Sequence, residues 1–132
     1  PGYVKGQTTD SFTELVDVYP TLCELTGIKP PKYLHGESLV SVMEEPKLDL
    51  KMEIYTRYKQ GEAVIDKDYS YTEFYEGKRY LGNMLYDLKK DIQQNVDISK
   101  FSENFEIVKK YSEKLKVMRN FVDQDPLESL TK

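Results

Sequence analysis

One cysteine, one histidine and no apolar run long enough to cross a bilayer set the first limits on this chain of 132 residues. The lone Cys23 excludes an internal disulfide and any metal cluster built on several thiolates. The lone His35 has no second ligand at metal-site spacing, and no nucleophile or orienting acid placed for a triad, so it reads as a solvated loop side chain. The shortage of positive charge, a formal net of −4, argues against nucleic acid as the main partner, because phosphate binding needs a basic surface. A membrane span is not expected, and neither is a leader, since no basic start with an apolar block opens the chain. A start at Pro1 rather than Met leads to the expectation of a piece taken from a longer protein, whose own leader this stretch would not carry.

What is present fits a globular domain. Hydrophobic residues make up 39% and charged residues 32%, which suits one domain with one modest core. Residues 3–13 form a polar loop, and Thr13–Val16 is expected to be briefly extended. Asp17 is a natural N-cap, Pro20 falls in the first turn, and Val18, Leu22 and Leu25 share one face. Gly27 followed by Pro30-Pro31 ends that helix, which is predicted over Val18–Thr26. Cys23 lies within it as a small, partly buried thiol. Ser38 can cap a second short helix with Leu39, Val42 and Met43 on its apolar side and Pro46 after it.

From Met52 the period becomes two. Met52, Ile54, Thr56 and Tyr58 alternate with Glu53, Tyr55 and Arg57, which predicts a strand with one wet face. Ala63–Ile65 and Tyr69–Tyr75 follow as strands, separated by Gln60-Gly61 and Asp66-Lys67-Asp68, and Glu76-Gly77-Lys78 turns the chain again. Arg79–Leu81 and Met84–Leu88 then complete a meander of about four strands. The last element is a helix over Glu103–Val122, capped by Ser102, with Phe105, Val108, Tyr111, Leu115, Met118 and Val122 on its apolar face. Its basic residues are interspersed with acids, which favours packing on the sheet over a membrane surface. The predicted fold class is α+β: an antiparallel sheet of about four strands, packed by a long C-terminal helix, with one or two N-terminal helices leading in. Residues 1–122 make one subdomain and 123–132 a flexible tail containing Pro126.

Several motifs stand in register over these elements. Val16-Asp17-Val18-Tyr19-Pro20-Thr21, Gly27-Ile28, Pro30-Pro31 and Gly36-Glu37-Ser38-Leu39 follow one another, after an opening Pro1-Gly2. The hairpin from Gln60 to Phe74 and the run Leu85-Tyr86-Asp87-Leu88 with Asp91 and Asn95-Val96 come next. In this order they resemble the C-terminal subdomain of a formylglycine-dependent sulfatase of the alkaline-phosphatase-like superfamily, over roughly residues 1–120. The paired tyrosines of the hairpin are most similar to the iduronate-2-sulfatase-type bacterial enzymes. Against that pattern Asp66 and Ser70 stand where the family has arginines, and Ile92 stands where it has proline.

The resemblance implies part of a sulfuric ester hydrolase acting on a sulfated sugar or glycosaminoglycan. It also implies calcium and formylglycine in the parent enzyme, and a periplasmic or secreted parent. The present stretch holds no cofactor or metal site and no catalytic residue in this reading. Cys23 is followed by Glu24-Leu25-Thr26-Gly27 rather than by the Cys-x-Pro-x-Arg or Cys-x-Ala-x-Arg motif, so it is not the nucleophile. Its partners are an absent N-terminal catalytic domain of the same chain and, by an apolar sheet face left bare, possible copies of itself. Of the eleven tyrosines, Tyr55 and Tyr58 with Arg57 are the candidates for a substrate rim; cross-strand pairing explains most of the others. The alternative reading is a stand-alone, non-catalytic α+β protein-interaction module.

Overall fold

A computed structural model describes residues 3 and 5–124. The chain divides into two compact units, the second running from Glu53 to Asp123.

The first unit is organised by Asp17. A 3-10 turn, Leu15–Asp17, occupies the place where an extended run was expected, and helix α1, Val18–Thr26, continues from it without a break. Because the turn is already helical, Asp17 has helical dihedrals and its side chain does not cap α1. The carboxylate is instead wholly buried, accepting the N–H of Glu37 at 2.9 Å, the N–H of Glu14 at 2.8 Å and the Lys51 ammonium at 2.7 Å. Lys51 also reaches Glu14 at 2.7 Å. One turn on, the Thr21 hydroxyl donates back to the Asp17 carbonyl at 2.6 Å and accepts the N–H of Leu39 at 2.9 Å. The Asp-x-x-Pro-Thr spacing thus places two polar groups one turn apart on the buried side of α1, and both hold the Gly36–Leu39 loop. Gly36 passes so close to α1's start that a Cβ there would lie 2.0 Å from the Val16 carbonyl oxygen, which leaves room only for glycine.

α1 ends as its sequence predicts. Gly27 is left-handed at φ 71°, its N–H bonds to Glu24, and the Ile28 N–H bonds to Cys23 at 2.8 Å, closing the paired reverse bonds of a Schellman end. Pro20, Thr21 and Cys23 are the buried residues of α1. Val18, Leu22 and Leu25, the apolar set found by periodicity, are 47%, 55% and 43% exposed, beside Leu15 at 91%. Helix α2, Val40–Glu44, buries Val40 and Val42; Ser38 accepts from the Val40 N–H at 3.3 Å, one residue outside the capping position, which Leu39 occupies.

The second unit is a meander of β1 (Glu53–Tyr58), β2 (Gly61–Asp66), β3 (Tyr69–Glu76) and β4 (Arg79–Asp87), all antiparallel in sequence order. β4 is one continuous strand, where a break near Gly82 was expected. Continuity is possible because Phe74 pairs with Gly82 and Tyr75 with Tyr80, leaving Leu81 as an unpaired bulge residue. Helix α3, Phe105–Val122, starts two residues later than predicted because Ser102–Asn104 is a 3-10 turn; Ser102 makes no cap, and Asn104 ties the turn to the Ile98 carbonyl at 2.9 Å.

The core is the contact of α3 with the sheet: Val64, Tyr71, Leu85, Tyr111 and Leu115 are each at most 2% exposed. Of the expected apolar helix positions, Phe105 stays outside at 66% exposure, while Ile107 packs in. Between β4 and α3 three aspartates shape the loop. Asp87 accepts the N–H of Lys89 and of Lys90, Asp91 accepts from Val96 and Asn95, and Asp97 holds Leu85 and Ser99. This gives a physical reason for the Asp87, Asp91 and Asn95-Val96 motif. Asp123, assigned to a tail by sequence, closes α3 and pairs with Arg57 at 2.8 Å; the rest of that tail from residue 125 lies outside the described residues.

Candidate functional site

Strand register sorts the sheet's helix-facing side chains into layers. Tyr55, Val64, Tyr71 and Leu85 stand side by side and form the apolar layer. On one side of it run Arg57, Glu62, Glu73 and Asn83, and on the other Glu53 and Asp66. The polar row of β1, which alternation marks as wet, is therefore the row α3 covers. It is tolerated there because α3 brings the matching groups. Lys114 pairs with Glu53 and, at 3.3 Å, with Asp66; Arg119 pairs with Glu62 and, at 3.2 Å, with Glu73.

Glu73 is the centre of the second charged layer. Only 4% exposed, it accepts from the hydroxyls of Tyr71 at 2.9 Å, Tyr75 at 2.7 Å and Ser112 at 2.6 Å as well as from Arg119. Burial alone would raise its pKa, but these four donors outweigh burial and hold the carboxyl below its ordinary value. Asp66 follows the same rule: burial opposes the charge, and the Tyr111 hydroxyl, the N–H groups of Tyr69 and Asp68, and Lys114 keep the pKa low. Burial, with Asp66 as its acceptor, pushes the Tyr111 phenol far above its usual value. Asp66, which departs from the resembling pattern, is thus an anchor for α3, and Ser70, the second departure, is 3% exposed.

Beside this layer, between β3–β4 and the first half of α3, lies a groove of about 480 Å³. Tyr75, Tyr80 and Phe105 supply its aromatic surface, and Glu73, Asn83 and Ser112 its polar surface. Lys109 and Glu113, four residues apart on α3, also line it. The Leu81 bulge builds this feature: strict alternation from Leu85 and Asn83 would send Tyr80 to the far face, and the extra residue returns it beside Tyr75, ring centroids 5.5 Å apart.

The three sequence-predicted rim residues are separated by the sheet. Tyr55 and Arg57 lie together on the α3 side, with Arg57 Nε donating to the Tyr55 hydroxyl at 3.0 Å and stacked 5.7 Å from its ring. Arg57 is also bound to Asp123 and, at 3.1 Å, to Glu62, so its charge is already matched. Tyr58 falls on the alternate face at the strand end, 74% exposed, under the Lys59 ammonium. Sequence reasoning did not find the Tyr80–Phe105 groove, because its two walls are 25 residues apart in sequence and a bulge breaks the strand period. His35 is exposed in the loop before Gly36, and Cys23 is buried in α1. Among the described residues no group of three or more His, Cys, Asp or Glu is placed to hold a metal ion. No helix among them is long and apolar enough to cross a membrane.

A short helix closed by Gly27, and a four-stranded meander under one long helix, make up the fold. The chain belongs to the family described as N-sulphoglucosamine sulphohydrolase, C-terminal, which matches residues 1–121. It is similar to a protein solved in complex with its substrate D-glucosamine-2-N,6-O-disulfate, with 22% identity, a TM-score of 0.79, and coverage of 92% of this chain and 27% of that one. A 2-O GAG sulfatase shares 28% identity at a TM-score of 0.64, covering 81% of this chain and 25% of that one. The phosphonate monoester hydrolase of Agrobacterium radiobacter shares the fold at 23% identity and a TM-score of 0.72, covering 87% and 26%. This chain thus spans about a quarter of the length of these solved structures. No curated protein matches it.

Proposed function

We propose that this chain is the non-catalytic C-terminal part of a sulfuric ester hydrolase whose substrate is a sulfated sugar of the glycosaminoglycan kind. The observation that carries the reading is the family match across residues 1–121, for a chain that spans about a quarter of its solved relatives. The exposed apolar face of α1, Val18, Leu22 and Leu25, continued by Leu15 of the preceding turn, supports it, since such a stripe suits burial under further protein surface. For the finer preference, a sulfated uronic acid as in iduronate-2-sulfatase-type enzymes, the support is the tyrosine-paired hairpin and the 28% identity with a 2-O GAG sulfatase.

Calcium and a formylglycine do not fit the residues described here. The chain offers no cluster of metal-ligating side chains among the described residues, and its one thiol is packed inside α1 without the motif that matures to formylglycine. No reaction step is assigned to this chain through either group; both belong, in this reading, to the preceding part of the parent, with a periplasmic or secreted location. The work of these residues is to fold a firm sheet–helix body and to present its surfaces.

The reading frame upstream of the Pro1 codon tests this. The expected result is an in-frame continuation of some 300 residues, about the remainder of a relative of which this chain spans 27%, containing Cys-x-Pro-x-Arg or Cys-x-Ala-x-Arg. A start codon directly before Pro1 would contradict the proposal and favour the stand-alone interaction module.

A further inference from the structure

We propose that the groove between β3–β4 and the first half of α3 is a saccharide-binding site, engaging a sugar unit through Tyr80 and Phe105. The choice of ligand class rests on the sugar-directed reading above; the site itself rests on the groove's construction. Its volume of about 480 Å³ falls within the range of small-molecule sites, about 300–1,000 Å³.

Its chemistry narrows the ligand. Tyr80 and Phe105 are 50% and 66% exposed, and both line the same groove. Rings held open in this way offer flat apolar surface to the C–H faces of a pyranose. The polar lining is already organised: Glu73 is saturated by four donors, and Asn83 donates to the Tyr71 hydroxyl at 3.2 Å while accepting from Lys100 at 3.0 Å. With Glu73 closed to further donors, the partners left for a sugar hydroxyl are the second Asn83 amide N–H and the Ser112 oxygen, both already held in place.

Other ligand classes fit less well. A purely apolar ligand would take the second Asn83 amide N–H and the Ser112 lone pairs out of water without a partner. A phosphate-rich ligand would meet Lys109 beside Glu113, whose charges offset each other, while Arg119 is bound to Glu62 and Glu73. A polar, largely uncharged molecule with flat apolar faces satisfies both walls, and a sugar ring is that molecule.

Ligand-observed saturation-transfer NMR on the 132-residue chain tests this. The probes are a heparin-derived tetrasaccharide and its desulfated counterpart, and cooperative thermal unfolding is checked in parallel. The expected result is transfer to both probes, with affinities within about threefold of each other because the lining charges cancel. Tyr80→Ala and Phe105→Ala are each expected to weaken binding about tenfold, the loss of one stacking ring. Phe105 is 66% exposed, so its variant unfolds as the unsubstituted chain does; Tyr80→Ala loses the edge contact with Tyr75 and melts somewhat lower, still cooperatively, and Val117→Ala, 68% exposed on α3 and outside the groove lining, leaves binding intact. Absence of transfer to either probe by folded protein would overturn the inference, as would binding indifferent to both aromatic substitutions. Sulfate-ester hydrolysis by the parent together with no saccharide binding here would sink the groove alone. Saccharide binding without any upstream sulfatase frame would sink only the parent assignment.

Discussion

Replacing Asp17 with alanine is expected to cost about 3 kcal/mol or more of stability in the first unit, as when one partner of a buried ion pair is deleted. The carboxylate is 0% exposed and joins three segments: the turn at Glu14, the loop at Glu37 and the Lys51 side chain. Deletion leaves two N–H donors without acceptors and Lys51, 10% exposed, with Glu14 as its remaining carboxylate partner. Asp17→Asn keeps an oxygen acceptor but not the charge, so it should lose about half as much. Urea unfolding gives the magnitude, and amide hydrogen exchange gives the location. Protection at Glu37 should fall first, and Leu39, held through Thr21, should follow. A change within about 0.5 kcal/mol for Asp17→Ala would show that the carboxylate does not hold this unit together.

Glu73→Ala in the second unit should have a similar effect, about 3 kcal/mol, for a related reason. It strips the acceptor from Tyr75 and Ser112, leaves the Tyr71 hydroxyl proton unbound, and leaves Arg119 with Glu62 as its remaining carboxylate partner. The pH dependence follows from the same contacts. Burial acts to raise the Glu73 pKa, but the four donors lower it below 4.5 in the folded chain. A carboxyl whose folded pKa is depressed stabilises the fold above its unfolded value, and that contribution disappears as pH falls through the folded value. In the unsubstituted chain this component is therefore complete at neutral pH and is lost only in acid below about 4.5, whereas Glu73→Ala lacks it at every pH. Unfolding midpoints of both proteins between neutral and strongly acidic pH measure this. Parallel acid curves would contradict the role given to Glu73.

Much of the fold was legible because single residues carry unambiguous local physics. Gly27 and the two prolines after it end α1 where predicted; period-two alternation finds β1 and β3, and the turn residues on either side bracket β2 and the two pieces of β4. What periodicity could not settle was which face is covered. The charged row lies under α3, where Lys114 matches Glu53 of β1 from 61 residues away and Arg119 matches Glu62 of β2 from 57, and alternation has no view of partners at that distance. Asp17 shows the same limit from the other side. Its position before a helix suggests a cap, and only the loop at Glu37 and the lysine at position 51 reveal it as a buried hub. α1 inverts the usual rule, with Val18, Leu22 and Leu25 exposed, because periodicity finds an apolar face without saying what covers it. The groove was hidden by one residue, Leu81, whose bulge moves Tyr80 to the α3 side.

The proposed role is tested most directly by sulfate release. The isolated chain and a polypeptide extended through the upstream frame are each incubated with D-glucosamine-2-N,6-O-disulfate and with a 2-O-sulfated disaccharide, and free sulfate is measured over time. The extended polypeptide is expected to release sulfate from at least one of them, and the isolated chain from neither. Turnover by the isolated chain would contradict its non-catalytic role, and an extended polypeptide that hydrolyses no sulfate ester would contradict the sulfatase assignment.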